Sequence, residues 1–162
     1  MAISKGDKLP DAELIRLGES GPETVSLHSL AVGGKMVVFG VPGAYTGVCT
    51  SAHVPSFLRT KDQFAEKGVE SIVCVAVNDP FVMKAWGEST GAAEAGLHML
   101  ADADGGFTRA LGLTFDAPPA GLHGRSKRYS MYVEDGVVQV IHVEDNPGVC
   151  ETSAGESLLA EI

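Results

Sequence analysis

Two apolar runs stand in the first half of the chain: Met36-Val37-Val38-Phe39-Gly40-Val41 and Ser71-Ile72-Val73-Cys74-Val75-Ala76-Val77. Both are continuous and rich in β-branched residues, which is typical of strands covered on both faces. Between them, apolar residues recur at helical spacing from Val54 to Ala65, and Gly68 supplies a stop signal. A strand, a helix and a strand in this order predict a right-handed parallel crossover.

A second helix is predicted directly after the second run. Asp79 is suited to cap it and Pro80 to occupy its first turn. Gly91 is expected to end the helix. The residues expected on its buried face are Phe81, Val82, Ala85 and Trp86.

The remaining elements are shorter. Edge elements are expected at 14–17 and 25–30, a strand at 97–101 and a brief helical segment at 107–111. A hairpin of 129–133 and 137–143 is predicted through Asp135-Gly136, a pair suited to a type I′ turn.

A closing helix is expected at 153–162, with Ser153 and Glu156 forming a capping box. Together the elements predict one domain over residues 1–162 with an α/β architecture. Its central sheet is mixed and has helices on both faces. This is the layout of a thioredoxin-like fold.

Charge and composition limit the partners. Acidic residues outnumber basic ones 21 to 12, which gives a formal net charge of −9, so nucleic acid and anionic membranes are unsuitable partners. The charge-free stretch 36–58 contains prolines and glycines, so it predicts a strand, a loop and a helix start rather than a membrane span.

The cysteine count and the N-terminus bear on the compartment. Three cysteines without a Cys-x-x-Cys or zinc pattern fit a reducing compartment and one working thiol. The N-terminus carries no cationic, acid-poor leader, which predicts a cytoplasmic protein. A plastid or mitochondrial location would require that a transit peptide has been removed.

Cys49 is the strongest candidate for chemistry. It follows the first apolar run by a short loop and lies where the helix begins, so backbone N–H groups and the helix dipole favour its thiolate. Thr46 occupies the position that a second cysteine would take in a Cys-x-x-Cys loop, so attack by one thiol is expected. The alternative for Cys49 is a small buried side chain.

The other two cysteines have different surroundings. Cys74 lies in the middle of the second apolar run and is expected to be inert. Cys150 follows a turn of Asp145-Asn146-Pro147-Gly148 and is either a resolving thiol or without a role.

A basic run, Arg125-Ser126-Lys127-Arg128, leads directly into a predicted strand. Such runs are usually solvated, but side chains alternate along a strand, so Lys127 and Arg128 cannot both face solvent if one face is covered. An inward arginine requires an anionic partner, for which Cys49 is the candidate. His53 shares a helix face with Cys49, but two ligands do not make a zinc site, so a packed histidine is favoured.

The segment Pro42-Gly43-Ala44-Tyr45-Thr46-Gly47-Val48-Cys49 resembles the peroxiredoxin signature Pro-x-x-x-Thr-x-x-Cys. Residues 125–129 are similar to the second active-site element of that family. Nearly the whole chain is similar to its type II subgroup, which is peroxiredoxin-five-like. The segments that carry this wider resemblance are 6–10, 39–44, 53–55, 77–82 and 135–138, together with Trp86.

The resemblance implies a role for four residues. Cys49 would be the peroxidatic cysteine, Thr46 its hydroxyl partner, Pro42 the shield of the sulfur and Arg128 the cation that orients peroxide and thiolate. No metal or bound cofactor is implied. Cys150 lies slightly before the position of the resolving cysteine in members that have one, so the route of recycling stays open.

The implied function is a thiol peroxidase with an antioxidant role in cell redox homeostasis. It would reduce hydrogen peroxide and alkyl hydroperoxides through a sulfenic acid, with glutaredoxin and glutathione or thioredoxin as reductant and a homodimer as the assembly. A non-catalytic redox-sensing interaction module is the alternative. General thiol–disulfide exchange is disfavoured because Thr46 replaces a second cysteine.

Overall fold

Nine strands form within residues 2–162, the part of the chain that the computed structural model describes. They are β1 (Glu13–Gly18), β2 (Gly21–Ser26), β3 (Lys35–Val41), β4 (Ile72–Ala76), β5 (His98–Ala101), β6 (Thr114–Ala117), β7 (Leu122–Ser126), β8 (Tyr129–Glu134) and β9 (Val137–Val143). The helices are α1 (Val54–Glu66), α2 (Pro80–Thr90), α3 (Gly106–Leu111) and α4 (Gly155–Leu159). A π-turn, Cys49–His53, precedes α1, and short 3-10 turns lie at Leu27–Leu30, Val32–Gly34 and Pro118–Ala120.

Seven strands form one mixed sheet in the order β2-β1-β5-β4-β3-β8-β9. The two apolar runs are the neighbouring parallel strands β3 and β4, and both are buried over nearly their whole length. The hairpin of β8 and β9 turns at Asp135 and Gly136, whose φ angles of 52° and 78° fit a type I′ turn. The parallel pair and the hairpin confirm the corresponding predictions.

Helices cover both faces of the sheet. On one face α1, α2 and α4 bury Phe57, Trp86 and Leu158 against the strands. On the other, α3 buries Phe107 and Leu111. This arrangement confirms the predicted thioredoxin-like fold. No helix within residues 2–162 has both the length and the apolar character that a membrane crossing requires.

The ends of α2 were predicted correctly, but of the residues expected on its buried face only Trp86 is fully buried. The Asp79 side chain accepts a hydrogen bond from the Val82 N–H, and Gly91 ends the helix with a φ of 81°. Phe81 is 60% exposed, whereas Met83 and Trp86 are buried. The helix turns the 80, 83 and 86 positions toward the sheet, so Phe81 lies off that face.

The capping box predicted at Ser153 is wrong. Helix α4 spans only Gly155–Leu159, and Ser153 instead donates its hydroxyl to Oε2 of Glu144 at 2.6 Å. Glu156 points outward and pairs with Arg59 at 2.8 Å.

The structure departs from the sequence-based predictions at two further places. The segment predicted at 14–17 belongs to β1, which is not an edge strand because it lies between β2 and β5. The chain between α3 and β8 forms a separate hairpin of β6 and β7 that was not predicted. Both strands of that hairpin are short and mostly solvated, so they lack the apolar period that identifies a strand.

Candidate active site

The loop between β3 and α1 delivers Cys49 to the start of the helix. The Ala44 N–H donates to Oδ1 of Asn78 at 3.0 Å, which ties this loop to the one that follows β4. Tyr45 adopts a left-handed conformation with a φ of 65°, which few non-glycine residues tolerate. The chain then enters the π-turn, and the Cys49 side chain is fully buried.

Two donors converge on the sulfur of Cys49. Oγ1 of Thr46 lies 2.8 Å from Sγ, and Nη2 of Arg128 lies 3.1 Å from it. A hydroxyl and a guanidinium are the groups that would stabilise a thiolate or a developing oxyanion. The structure therefore brings Cys49, Thr46 and Arg128 together.

Arg128 is 1% exposed, and its exposed neighbour Lys127 points to the other side. The two residues form the link between β7 and β8, and they do not both face solvent, as the sequence pattern indicated. Besides the sulfur, the guanidinium contacts the Pro147 carbonyl oxygen through Nε at 3.0 Å and Nδ1 of His53 through Nη1 at 3.0 Å. No carboxylate within residues 2–162 forms an ion pair with Arg128, so its charge is not neutralised locally.

His53 is packed among aromatic side chains. Its ring lies 4.9 Å from the ring of Phe39 and 5.6 Å from that of Phe57, and it has no exposed surface. Burial, and next the nearby Arg128 charge, lower the pKa of His53 to about 3. No cluster of three metal-ligating side chains occurs in the described part of the chain.

A cavity of about 300 Å³ lies beside Thr46 and Arg128, the two residues that donate to the Cys49 sulfur. Pro42, Thr46 and Arg128 line it on the side of Cys49. Its outer wall is mostly apolar and comes partly from the β6–β7 hairpin; these residues are Phe115, Ala117 and Leu122, with Val48 and Pro147 beside them. The unpredicted hairpin thus shapes access to the site.

Neither of the other two cysteines accepts a hydrogen bond from Thr46 or Arg128 in the described part of the chain. Burial raises the pKa of the Cys74 thiol well above its usual value, and the nearby Cys49 raises it further. Cys150 is half-buried between β9 and α4, and its pKa is also raised by burial. Its sulfur lies 3.9 Å from Oγ of Ser153. All three cysteines are free thiols.

Three residues of the site's framework escaped the sequence analysis. Arg125 donates from Nη1 to the carbonyl oxygen of Pro42 at 3.2 Å, and Asn78 holds Ala44 as described. Glu144 is buried and accepts three hydrogen bonds from Glu151 and Ser153. Arg125 stood in the basic run and could have been suspected, whereas no local pattern marks Glu144.

Known proteins are similar to this chain over most of its length. The Redoxin family matches residues 4–159. Peroxiredoxin-2E-2 of Oryza sativa, a chloroplastic protein, is 44% identical over 161 residues, covering 97% of this chain and 71% of its own. Peroxiredoxin-2F of Arabidopsis thaliana, a mitochondrial protein, is 45% identical over 139 residues, covering 86% and 69%.

A solved structure is similar over nearly the whole chain. Reduced Prx3 from Vibrio vulnificus, in complex with hydrogen peroxide, superposes with a TM-score of 0.88 at 45% identity. The match covers 98% of each chain. The likeness therefore includes the sheet, both helical layers and the loops around the Cys49 sulfur.

Proposed function

The chain belongs to the peroxiredoxin family, in its type II subgroup, and we propose that Cys49 is the residue through which it reduces peroxides. Its activity is that of a thiol-dependent peroxidase, an oxidoreductase. The observation that carries the assignment to Cys49 is the convergence of Thr46 and Arg128 on its sulfur, at 2.8 Å and 3.1 Å.

In the proposed reaction the Cys49 thiolate attacks one peroxide oxygen in line with the O–O bond. A sulfur–oxygen bond forms as the O–O bond breaks, so Cys49 is oxidised to a sulfenic acid and the peroxide is reduced. The departing oxygen takes up a proton and leaves as water or an alcohol. Arg128 stabilises the charge that moves from sulfur to oxygen, while Pro42 covers the sulfur from bulk water.

Thr46 has one hydroxyl proton and two acceptors within reach. Its Oγ1 lies 2.7 Å from the carbonyl oxygen of Gly43 and 2.8 Å from Sγ of Cys49. When Cys49 carries its proton, the thiol can donate to Oγ1 while the hydroxyl donates to Gly43. When the thiolate forms, the hydroxyl turns to the sulfur. We assign Thr46 this adjustable donor role.

We assign hydrogen peroxide and alkyl hydroperoxides as substrates. The peroxide oxygens need only Thr46 and Arg128, which fits the smallest substrate. The apolar wall of Phe115 and Leu122 offers contact to an alkyl group. The proposed substrates therefore match a cavity whose inner end is polar and whose outer wall is apolar.

We propose that an external thiol recycles the sulfenic acid, supplied by glutaredoxin with glutathione or by thioredoxin. One thiol condenses with the sulfenic acid, releasing water and forming a mixed disulfide, and a second thiol then frees Cys49. Cys74 is fully buried and Cys150 is half-buried, and burial raises the pKa of both thiols, which disfavours either as the internal partner.

Trapping tests this route. After one equivalent of peroxide, dimedone should label Cys49, and Cys150→Ser should keep its turnover with the external reductant. Mass spectrometry of the peptides reads both the adduct and any disulfide. A quantitative disulfide between Cys49 and Cys150, together with lost turnover in Cys150→Ser, would make the protein a two-cysteine enzyme.

The assembly and the compartment are also proposals. We infer a homodimer, because Tyr45 at 55% and Phe81 at 60% exposure are large apolar side chains left open in the single chain. We propose a reducing compartment, either the cytoplasm or an organelle. An organelle is considered because the relatives of this chain include a chloroplastic and a mitochondrial protein. Ultracentrifugation tests the first proposal and cell fractionation the second.

The deciding experiment for the site replaces one cysteine at a time. Cys49→Ser should abolish peroxide turnover, and Cys74→Ser should keep most of it, because only Cys49 has Thr46 and Arg128 at its sulfur. Peroxide consumption is followed with glutaredoxin and glutathione and, separately, with thioredoxin. Turnover retained by Cys49→Ser would overturn the assignment. Consumption of a single equivalent by the unaltered protein with every donor would favour the non-catalytic redox-sensing module.

A further inference from the structure

The two ring nitrogens of His53 face partners of opposite kind. Nε2 lies 3.0 Å from the backbone carbonyl oxygen of Ser153, which can only accept a hydrogen bond. Nδ1 lies 3.0 Å from Nη1 of Arg128, which can only donate one. The ring must therefore carry its proton on Nε2 and offer a lone pair at Nδ1. A doubly protonated ring would set an N–H against the guanidinium.

This arrangement fixes Arg128 without neutralising it. The guanidinium donates to the Pro147 carbonyl oxygen, to Nδ1 of His53 and to the sulfur of Cys49. The first two acceptors are uncharged, so they orient the plane and leave its charge for the sulfur. A carboxylate at the His53 position would form an ion pair and draw that charge away from Cys49.

The carbonyl that holds His53 is itself held. Oε2 of Glu144 accepts from the backbone N–H groups of Glu151 and Ser153, each at 2.8 Å, and from the Ser153 hydroxyl at 2.6 Å. These contacts fix the segment 144–153, which also supplies the Pro147 carbonyl. The two uncharged acceptors of Arg128, the Pro147 carbonyl oxygen and Nδ1 of His53, thus both depend on one backbone segment, which the hydrogen bonds to Glu144 hold in place.

We propose that His53 is a positioning residue of the peroxidase reaction, which as the neutral Nε2–H tautomer aims the Arg128 guanidinium at the Cys49 sulfur, with Glu144 holding the backbone that fixes that tautomer. The inference rests on the proposed role of Cys49. Its basis is the continuous set of contacts from Glu144 through Ser153, His53 and Arg128 to Cys49.

The tautomer is tested on the unaltered protein. Nitrogen NMR of histidine-labelled protein should show His53 as Nε2–H with an unprotonated Nδ1 from about pH 8 to about pH 5. Free histidine, recorded under the same conditions, serves as the reference for a ring that gains a second proton in this range. An Nδ1–H tautomer at His53, or a His53 ring that becomes doubly protonated within this pH range, would overturn the proposal whether or not Cys49 proves to be the peroxidatic residue.

Two substitutions separate positioning from packing. His53→Leu fills the space between Phe39 and Phe57 but offers Arg128 no acceptor, whereas Oδ1 in His53→Asn can take the place of Nδ1. We expect His53→Leu to lower kcat/KM for hydrogen peroxide about tenfold or more and His53→Asn to recover most of that loss. The pH profile of Cys49 alkylation by iodoacetamide should move to higher pH in His53→Leu alone.

If only packing mattered, the apolar leucine would suit the aromatic surroundings better than asparagine would. Equal or better activity in His53→Leu than in His53→Asn would therefore overturn the proposal, as would an unchanged alkylation profile in His53→Leu. Alkylation is read by mass spectrometry at the Cys49 peptide, so this readout needs no peroxide turnover. A failure of the Cys49 assignment would appear instead as turnover retained in Cys49→Ser.

Discussion

Arg128 is the single residue that joins the most parts of the site. Its side chain is buried, and its three hydrogen-bonding directions lead to the segment before α4, to His53 and to Cys49. A guanidinium can serve three acceptors in one plane because its N–H groups diverge at fixed angles. An ammonium has the same charge without that geometry.

Arg128→Lys should therefore lower kcat/KM for hydrogen peroxide by about a hundredfold, although the charge is kept. Stopped-flow peroxide consumption measures the rate. Lys127→Arg is the matched control, because the neighbouring Lys127 side chain is exposed and this variant should keep the normal rate. A near-normal rate in Arg128→Lys would mean that charge alone suffices at this position.

Single residues also show where sequence reasoning reaches its limit. The contact between Cys49 and Arg128 could be predicted because each residue stands in a local pattern. Cys49 stands at a helix start after a buried strand, and Arg128 stands in a basic run that leads into a strand. The contact of His53 with Ser153 spans 100 positions, and no local period reports such a contact. Glu144 contacts the backbone N–H groups of Glu151 and Ser153 and the Ser153 hydroxyl, and no local sequence pattern marks a carboxylate for such contacts.

At the level of elements, the β6–β7 hairpin supplies part of the apolar wall of the cavity. Phe115 and Leu122 extend from it to the cavity, whereas His123 in the same strand is exposed. The hairpin belongs to neither apolar run and forms its own two-stranded sheet. It can therefore vary without disturbing β3 and β4, which carry the core.

Leu122→Ser should lower kcat/KM for cumene hydroperoxide about tenfold and leave the value for hydrogen peroxide nearly unchanged. The reason is that the lost contact serves only the organic part of the substrate. His123→Ser, one position along the same strand, is the control and should alter neither value. Equal losses with both peroxides in Leu122→Ser would indicate a disturbed site rather than a lost alkyl contact.

The elements were predicted best where burial is complete. The runs that form β3 and β4 are apolar throughout, and α2 carries both a cap and a stop signal, so their positions could be predicted. The buried face of α2 could not, because Phe81 is apolar yet exposed. Helix α4 proved shorter than predicted because Ser153 is bound to Glu144 instead of capping the helix.

For the whole molecule, the buried histidine makes stability depend on pH. His53 has a pKa of about 3 in the folded protein, lowered by burial and by Arg128, against about 6.5 in an unfolded chain. Between these values the unfolded state binds more protons, so the free energy of unfolding falls as the pH falls. Burial lowers the pKa of His98 as well, which acts in the same direction.

Urea denaturation should show the free energy of unfolding decreasing by about 1 kcal/mol per pH unit below about pH 6.5. His53→Asn removes the main titrating group and should flatten this slope, leaving the smaller part due to His98. Glu144, whose pKa is lowered by its hydrogen bonds despite burial, adds a loss only at more acidic pH. An identical slope in His53→Asn would show that the histidine is not the source.

The π-turn that precedes α1 makes the length of the chain a determinant of activity. The Val54 N–H bonds to the carbonyl oxygen of Cys49, five positions earlier, so the turn holds one residue more than an α-helical turn. Because the turn is already widened, it cannot absorb a further residue, so inserting one beside the exposed Ser51 would rotate everything on one side by about 100° relative to the other. Cys49 and His53 would then face different directions, and Arg128 could no longer reach both. The number of residues between Cys49 and His53 is therefore as important to this arrangement as the identity of either residue.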